Sequence, residues 1–181
     1  MNSKKAIEFK KRLMFLKGED LYFLTYNILV LLHGYSCESS QKPFLDHTKL
    51  AYLIDFVADN KLVSMLNSSA LKSPQYDSVD KAYLQSAYTE GLIRRHIVSR
   101  LFYALERKGI VSLEMKNDKK IVAIWLKTDG IPTDFFKTEL YDVELENVSR
   151  LREALPQLRT MTISTMLKRL YSDNGVATWH E

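Results

Sequence analysis

The spacing of apolar residues changes character between residues 93 and 127. From Ile93 to Gly109, apolar residues recur at intervals of three and four, which predicts an amphipathic helix. Gly109 follows the last of them and is typical of a helix C-cap. Two β-prone runs come next, residues 110–116 and 120–126, and the turn residues between them predict a short antiparallel hairpin.

A glycine-containing turn (Thr-Glu-Gly) precedes this helix at residues 89–91. Helical spacing over about 78–88 comes before the turn, so two helices would meet at a three-residue corner. Helix, corner, helix and hairpin in this order predict a winged helix-turn-helix. Leu101, Phe102 and Leu105 are expected to anchor its core.

Helical patterns also lie on both sides of this unit. The segment from Leu21 to about His33 is apolar nearly all round, which predicts a place in the core or at a subunit interface. A second apolar helix is predicted to begin at Pro43, with Asp46 as an N-cap, and to be interrupted at Asn60. The other predicted helices cover residues 4–17, 61–66, 134–155 and 160–172, and a frayed tail is predicted over 173–181.

The early helices are rich in aromatic residues. They supply more apolar surface than one small winged helix needs, and two explanations stay open. The surface belongs either to a larger core or to an interface with an obligate partner or a second copy. The aromatic residues are Tyr22, Phe23, Tyr26, Phe44, Tyr52 and Phe56.

These patterns predict a mainly α fold: a winged helix-turn-helix with a two-stranded β-hairpin wing and additional N- and C-terminal helices. At 181 residues the chain is long enough to bury a proper core. Three regions are predicted. Residues 1–72 form an N-terminal helical region with a partner or dimer surface, 73–128 the winged helix-turn-helix, and 129–181 a C-terminal helical extension.

Composition narrows the class of protein. A single cysteine, Cys37, excludes an intramolecular disulfide framework and fits a reducing compartment. No apolar stretch follows the basic N-terminus, and the most apolar segment, residues 21–32, is too short to span a bilayer. We therefore expect a soluble cytoplasmic protein that does not contact a membrane.

The motifs of catalysis and cofactor binding are missing from the sequence. There is no phosphate-binding loop, no dinucleotide fingerprint and no CxxC pair, and the four histidines are isolated from one another. The dipeptide Asp46-His47 is interpreted as a helix cap followed by a solvent-facing histidine. We expect no catalytic residues, no metal and no cofactor, and therefore no enzyme.

Charge is distributed unevenly along the chain. Residues 94–127 carry a net charge of +6, whereas residues 129–153 carry −4. A basic helix with a basic wing suits a phosphate backbone or an acidic partner, although a solvated helix face and a lysine-protected hairpin edge explain the same pattern. The candidate DNA- or partner-binding residues are Arg95, His96, Ser99 and Arg107 on the helix, and Lys116, Lys119 and Lys120 on the wing.

Three segments carry a family resemblance: LYFLTYNILVLLHGY, PFLDHTKLAYLIDFVADNKLV and SRLFYALERKGIVSLEMKNDKKIVAIWLK. In the order of the segments and the pattern of their helices, they resemble the middle components of prokaryotic three-component ABC/SMC-type systems, of which the Lamassu antiphage systems are the best known. The resemblance covers roughly residues 20–155 and implies a non-catalytic accessory subunit beside an SMC-like ATPase. It supplies no site residues, and the wing is more basic than a purely protein-binding module needs.

The expected function is therefore that of a winged-helix accessory subunit in an antiviral defence complex. It would bridge an SMC-like ATPase subunit and an effector subunit, with double-stranded DNA as a further candidate partner and a homodimer as a further candidate state. The alternative is a dimeric winged-helix transcriptional regulator that uses the same basic face on an operator.

Overall fold

We describe the protein from a computed structural model covering residues 20–68, 76–116 and 121–179; the helix predicted over 4–17 lies outside these ranges. The fold is mainly helical with one two-stranded antiparallel sheet. Within the described ranges, none of the helices combines the length and apolar character needed to cross a membrane. The elements are α1 (Leu21–Gly34), α2 (Leu50–Ala58), α3 (Asn60–Ser68), α4 (Ser78–Arg107), β1 (Val111–Lys116), β2 (Ile121–Leu126), α5 (Asp142–Ala154) and α6 (Ile163–Leu170).

Helices α1 and α2 form the centre of the core. Asp20 caps α1 by accepting hydrogen bonds from the amides of Tyr22 and Phe23. Every residue of α2 from Leu50 to Val57 is buried. Four of the six early aromatic residues are at most 6% exposed, so most of this apolar surface is consumed inside the chain, as the larger-core explanation requires. The buried four are Phe23, Phe44, Tyr52 and Phe56, whereas Tyr26 is half-buried and Tyr22 exposed.

The start of the second helix differs from the prediction. Phe44 is not helical but bridges to Ile124 in β2, and a 3₁₀ turn at His47–Lys49 leads into α2. The predicted cap is confirmed: the Asp46 carboxylate accepts hydrogen bonds from the amide and the hydroxyl of Thr48. Pro43 lies outside the helix because the chain pairs with the sheet before it turns.

The predicted corner at residues 89–91 is wrong, because α4 continues unbroken from Ser78 to Arg107. Gly91 lies in the middle of this helix and is buried. A Cβ atom there would stand 2.6 Å from Cδ1 and 2.9 Å from Cα of Tyr52 in α2. The glycine therefore permits close packing of two helices and not a turn between them.

The end of α4 and the hairpin agree with the prediction. Gly109 has a φ of 71°, and the amides of Gly109 and Ile110 donate to the carbonyls of Glu106 and Leu105, which is a Schellman cap. The two strands pair in register from Val111 opposite Leu126 to Lys116 opposite Ile121. The outer edge of β2 is also covered, since the Leu126 amide donates to the Cys37 carbonyl and Ile124 exchanges two hydrogen bonds with Phe44.

The C-terminal part packs back on the core. Helix α5 begins at Asp142, later than predicted, because residues 135–141 form two short 3₁₀ turns. The predicted frayed tail is wrong as far as Trp179, whose amide donates to the Tyr88 hydroxyl while that hydroxyl donates to the Trp179 carbonyl, each over 2.8 Å. Buried residues from all three predicted regions form one hydrophobic cluster. The division at residues 72 and 128 stays a prediction.

Candidate binding surface

One face of α4 faces the core. Its predicted anchors are confirmed, since Leu101, Phe102 and Leu105 are at most 7% exposed. The face is rotated relative to the prediction, however, because Ile93 is 66% exposed and Ala104 is also exposed. The residues that point inward instead are Gly91, Arg94, Val98, Leu101, Phe102 and Leu105.

Arg94 explains this rotation. Its guanidinium is buried between α4 and α2, where Nη1 donates to Oδ2 of Asp55 over 2.9 Å and Nη2 lies 3.5 Å from Oε2 of Glu90. A buried carboxylate in the apolar helix α2 requires a cation, and only Arg94 of the adjacent pair Arg94 and Arg95 reaches it. Arg94 therefore contributes no charge to the surface, although it was counted in the basic segment.

The helical candidate residues fall into two groups. Arg95, His96 and Arg107 are exposed, and Ser99 is half-buried. Arg95 lies at the edge of the inward face of α4, close to Tyr52 in α2. Burial raises the pKa of Tyr52, and the positive charge of Arg95 acts against this increase. His96 and Arg107 point away from the core and are separated by about 16 Å along the helix, so they do not form a compact site.

Of the wing candidates, Lys116 ends β1, at the far end of this strand from α4. Lys116 is half-buried, and its Nζ lies 2.6 Å from Oε2 of Glu114, so its charge is partly neutralised. Lys119 and Lys120 lie outside the described residues. Among the described residues, the structure therefore does not bring Lys116 together with the predicted helix residues into one site.

Glu106 joins α4 to the hairpin. It is half-buried, and its Oε1 accepts a hydrogen bond of 3.0 Å from the amide of Leu113 in β1. This bond ties the hairpin to the last turn of α4. The exposed cations Arg95, Arg100, Arg107 and Lys108 make no ion pair with any residue in the described ranges.

Sequence reasoning identified His96 and Arg107 on the exposed side of α4 but did not follow this side along the whole helix. We call this side the outer strip: positions spaced alternately by three and four residues, all exposed, that extend over about 42 Å of helix. The signal was present in the sequence, because positions spaced by three and four residues lie on one face of a helix. The outer strip consists of Val79, Ala82, Ser86, Thr89, Ile93, His96, Arg100, Tyr103 and Arg107.

Three titratable groups near α2 are buried to different extents. His47 is not solvent-facing: its ring packs edge-on against Phe102 at 5.7 Å, and burial lowers its pKa. The fully buried Lys49 ammonium donates to the carbonyls of Leu158, Arg159 and Met161 over 2.7 to 3.3 Å, and burial lowers its pKa to about 8. Burial raises the pKa of Cys37 to about 12, so this thiol is a small apolar residue and not a nucleophile.

Within the described ranges, no group of three or more histidine, cysteine or acidic side chains could hold a metal ion. The two carboxylates Glu144 and Glu146 lie on different faces of α5, one buried and one exposed. The chain shows no match to a protein-family model, to a curated protein or to a solved structure.

Proposed function

We propose that the protein is a winged-helix accessory subunit of an SMC/ABC-type ATPase complex in prokaryotic antiviral defence. The order of elements supports the winged-helix part of the proposal. A helix (α1), the isolated bridge at Phe44, a helix (α2), a further helix (α4) and a hairpin follow one another in the order of a winged helix, with α3 as an addition. The Phe44 bridge pairs with β2 on the side where such a fold adds a third strand to its hairpin.

The observation that carries the assembly role is the outer side of α4. A 30-residue helix is anchored by one face, while its opposite face and the distal hairpin are left to solvent. The hairpin also exposes Met115 and Ile121, which are 63% and 46% exposed. Apolar side chains beside cations on a projecting hairpin are typical of a protein-binding surface.

In this proposal, the main partner surface lies outside the buried helices α1 and α2. Most aromatic residues of α1 and α2 are buried within the chain, so they have little surface to offer a partner. We infer that the ATPase and the effector contact the exposed apolar side chains of the hairpin, Met115 and Ile121. The protein would act from the cytoplasm by holding these subunits together, without a catalytic step of its own.

The test is a tagged pull-down from the native cytoplasm after nuclease treatment, with the recovered proteins identified by mass spectrometry. We expect stoichiometric recovery of a coiled-coil ATPase and a second protein, and loss of both with Met115→Glu and Ile121→Glu. The matched control is Lys168→Ala with Arg169→Ala, two exposed cations of α6, which should retain both partners. Recovery of the chain without an ATPase contradicts the proposal.

The second candidate is a dimeric winged-helix transcriptional regulator. It is favoured by the exposed cations Arg95 on α4 and Arg107 and Lys108 beside the hairpin, which make no ion pair within the described part of the chain. In that case Arg95→Ala and Arg107→Ala should abolish operator binding and reduce the dependence of affinity on salt by about one counterion each. An accessory subunit should tolerate both changes in the pull-down.

A further inference from the structure

Helices α1 and α5 run in the same direction and expose apolar side chains where their contact begins. At this end, the ring of Tyr141, the residue before α5, lies 5.4 Å from the ring of Tyr26. At the other end, the Arg152 guanidinium donates to the carbonyl of Gly34. The exposed side chains lie about one helical turn before Tyr26 and within two residues of Tyr141, and such a group indicates a binding surface. They are Leu21, Tyr22, Leu140 and Val143.

The same end of the contact carries negative charge. Residues 134–146 contain five acids and one base, for a net charge of −4. Glu139 and Asp142 are exposed and make no ion pair with any residue in the described ranges. Glu146, in contrast, is paired with Arg150 on its own helix. The surface therefore suits an occupant that is both apolar and cationic.

A buried acid adds to this charge. Burial raises the pKa values of Tyr26 and Tyr141, and the negative charge of Glu144 raises both further. The charge therefore acts at the contact of the two rings and not only on the outer side of α5. We call the whole surface the acidic junction, and it consists of Leu21, Tyr22, Glu139, Leu140, Asp142 and Val143.

The sequence places a segment of matching chemistry beside the acidic junction. Residues 4–17, which lie outside the described ranges, contain six bases and one acid, for a net charge of +5. Only two residues separate Lys17 from Asp20, the cap of α1, so their Cα atoms are at most about 11 Å apart. Helical spacing would place Ala6, Phe9, Leu13 and Leu16 on one face of this segment, with Lys5, Lys10, Arg12 and Lys17 along its two sides.

We propose that residues 4–17 dock as an amphipathic helix on the acidic junction of the same chain. The apolar face covers the exposed apolar side chains of the junction, and the cations on its two sides approach Glu139 and Asp142. The helix would be about 21 Å long, and Tyr26 lies about 9 Å along α1 from Asp20, so the segment can extend past the ring contact.

The short tether favours this occupant over a separate molecule. A segment that is covalently linked to a site within its reach has an effective concentration on the order of millimolar. Docking of residues 4–17 is independent of the proposed assembly role, because it leaves Met115 and Ile121 of the hairpin exposed. The pull-down tests the assembly role and amide exchange tests the docking, so either proposal can fail without the other.

The first experiment is hydrogen–deuterium exchange of the full purified chain, measured by mass spectrometry. An isolated helix of this length is marginal in water, so a synthetic peptide of residues 4–17 gives the exchange rate of the undocked segment. We expect these amides to exchange at least about tenfold more slowly in the full chain than in the peptide, at every protein concentration. Equal rates in chain and peptide overturn the proposal. Slowing that increases with concentration identifies a second copy as the occupant and also overturns it.

The second experiment tests the surface with the double variant Tyr22→Lys, Leu140→Lys. It replaces apolar contacts with charges that repel a basic segment, so residues 4–17 should exchange within about twofold of the peptide rate. The matched control is Tyr103→Lys, Ile93→Lys, which makes the same kinds of change at exposed positions of the outer strip and should keep the slow exchange. Circular dichroism checks that both variants fold. Slow exchange in the first variant, or its loss in the control, overturns the acidic junction as the docking site.

The third experiment tests an anionic membrane surface as the occupant, since basic amphipathic helices also bind such surfaces. The same exchange measurement is repeated with vesicles of phosphatidylserine and phosphatidylcholine. We expect residues 4–17 to exchange slowly without the vesicles and at an unchanged rate with them. Slow exchange in the presence of vesicles alone identifies the membrane as the occupant and overturns the proposal.

Discussion

Helices α2 and α4 pack against each other but differ in how much of their surface the core consumes. In α2, eight of nine residues are buried, whereas α4 buries nine of thirty. The more apolar helix, α2, therefore has almost no exposed surface for a partner, whereas the less apolar helix, α4, has one whole side exposed. The comparison teaches that a binding surface is identified by what the fold leaves uncovered and not by apolar content.

The contact between the two helices should be most sensitive at Arg94. Arg94→Met leaves the buried Asp55 carboxylate without its guanidinium, so we expect a loss of about 3–5 kcal/mol in the free energy of unfolding. The control is the same change on the outer strip, Arg100→Met, which should alter stability by no more than about 0.5 kcal/mol. Urea denaturation followed by circular dichroism measures both, and a loss below about 1 kcal/mol for Arg94→Met would contradict the buried pair.

The second test is the change Gly91→Ala, for which we predict the sign of the change in the free energy of unfolding. In a helix, replacing glycine with alanine ordinarily stabilises by about 1 kcal/mol. Here Gly91→Ala should destabilise by about 1–3 kcal/mol, because the new Cβ meets Tyr52 within 2.6 Å.

The reverse change on the outer strip, Ala82→Gly, should destabilise by about 1 kcal/mol through helix propensity alone. Both values come from urea denaturation followed by circular dichroism. A stabilised Gly91→Ala variant would show that α4 and α2 are not in close contact at this position.

The fold was predictable where the signal is local. Gly109 follows a periodic helix and precedes alternating residues, so both the cap and the hairpin could be read from the sequence. At Gly91 the local signal was not sufficient. A glycine between helical segments is compatible with a corner between two helices and with a close crossing of two helices. The contact with Tyr52, which is distant in sequence, decides between them. Local spacing has no access to that contact.

The candidate surface was predictable in part for a similar reason. The exposure of Arg95, His96 and Arg107 follows from helical spacing, but their binding role stays a prediction. The rotation of the inward face does not follow from spacing, because several apolar registers fit residues 93–105 equally well. The deciding signal is Asp55, an acid within an otherwise apolar helix, which requires a buried cation from a neighbour.

The smallest expected effect concerns two histidines, His47 at the inner side of α4 and His96 at its outer side, and how the stability of the protein depends on pH. His47 lies against Phe102 at the inner side of α4, and burial lowers its pKa, with Arg95 acting in the same direction and Asp46 against it. The unfolded chain then binds more protons than the folded one as the pH falls below about 6.5. The contribution of His47 to stability is therefore present above that value and is lost as the pH falls through its folded pKa.

We expect the free energy of unfolding of the native chain to fall more steeply between about pH 7 and pH 5 than that of His47→Phe. The control is His96→Gln, on the outer strip, which should keep the steeper dependence because His47 is still present. If His47→Phe and the native chain follow the same pH dependence, His47 is as open to water as His96. In the last turns of α4, where Phe102 lies, the inner side of the helix would then be no better shielded from water than the outer side.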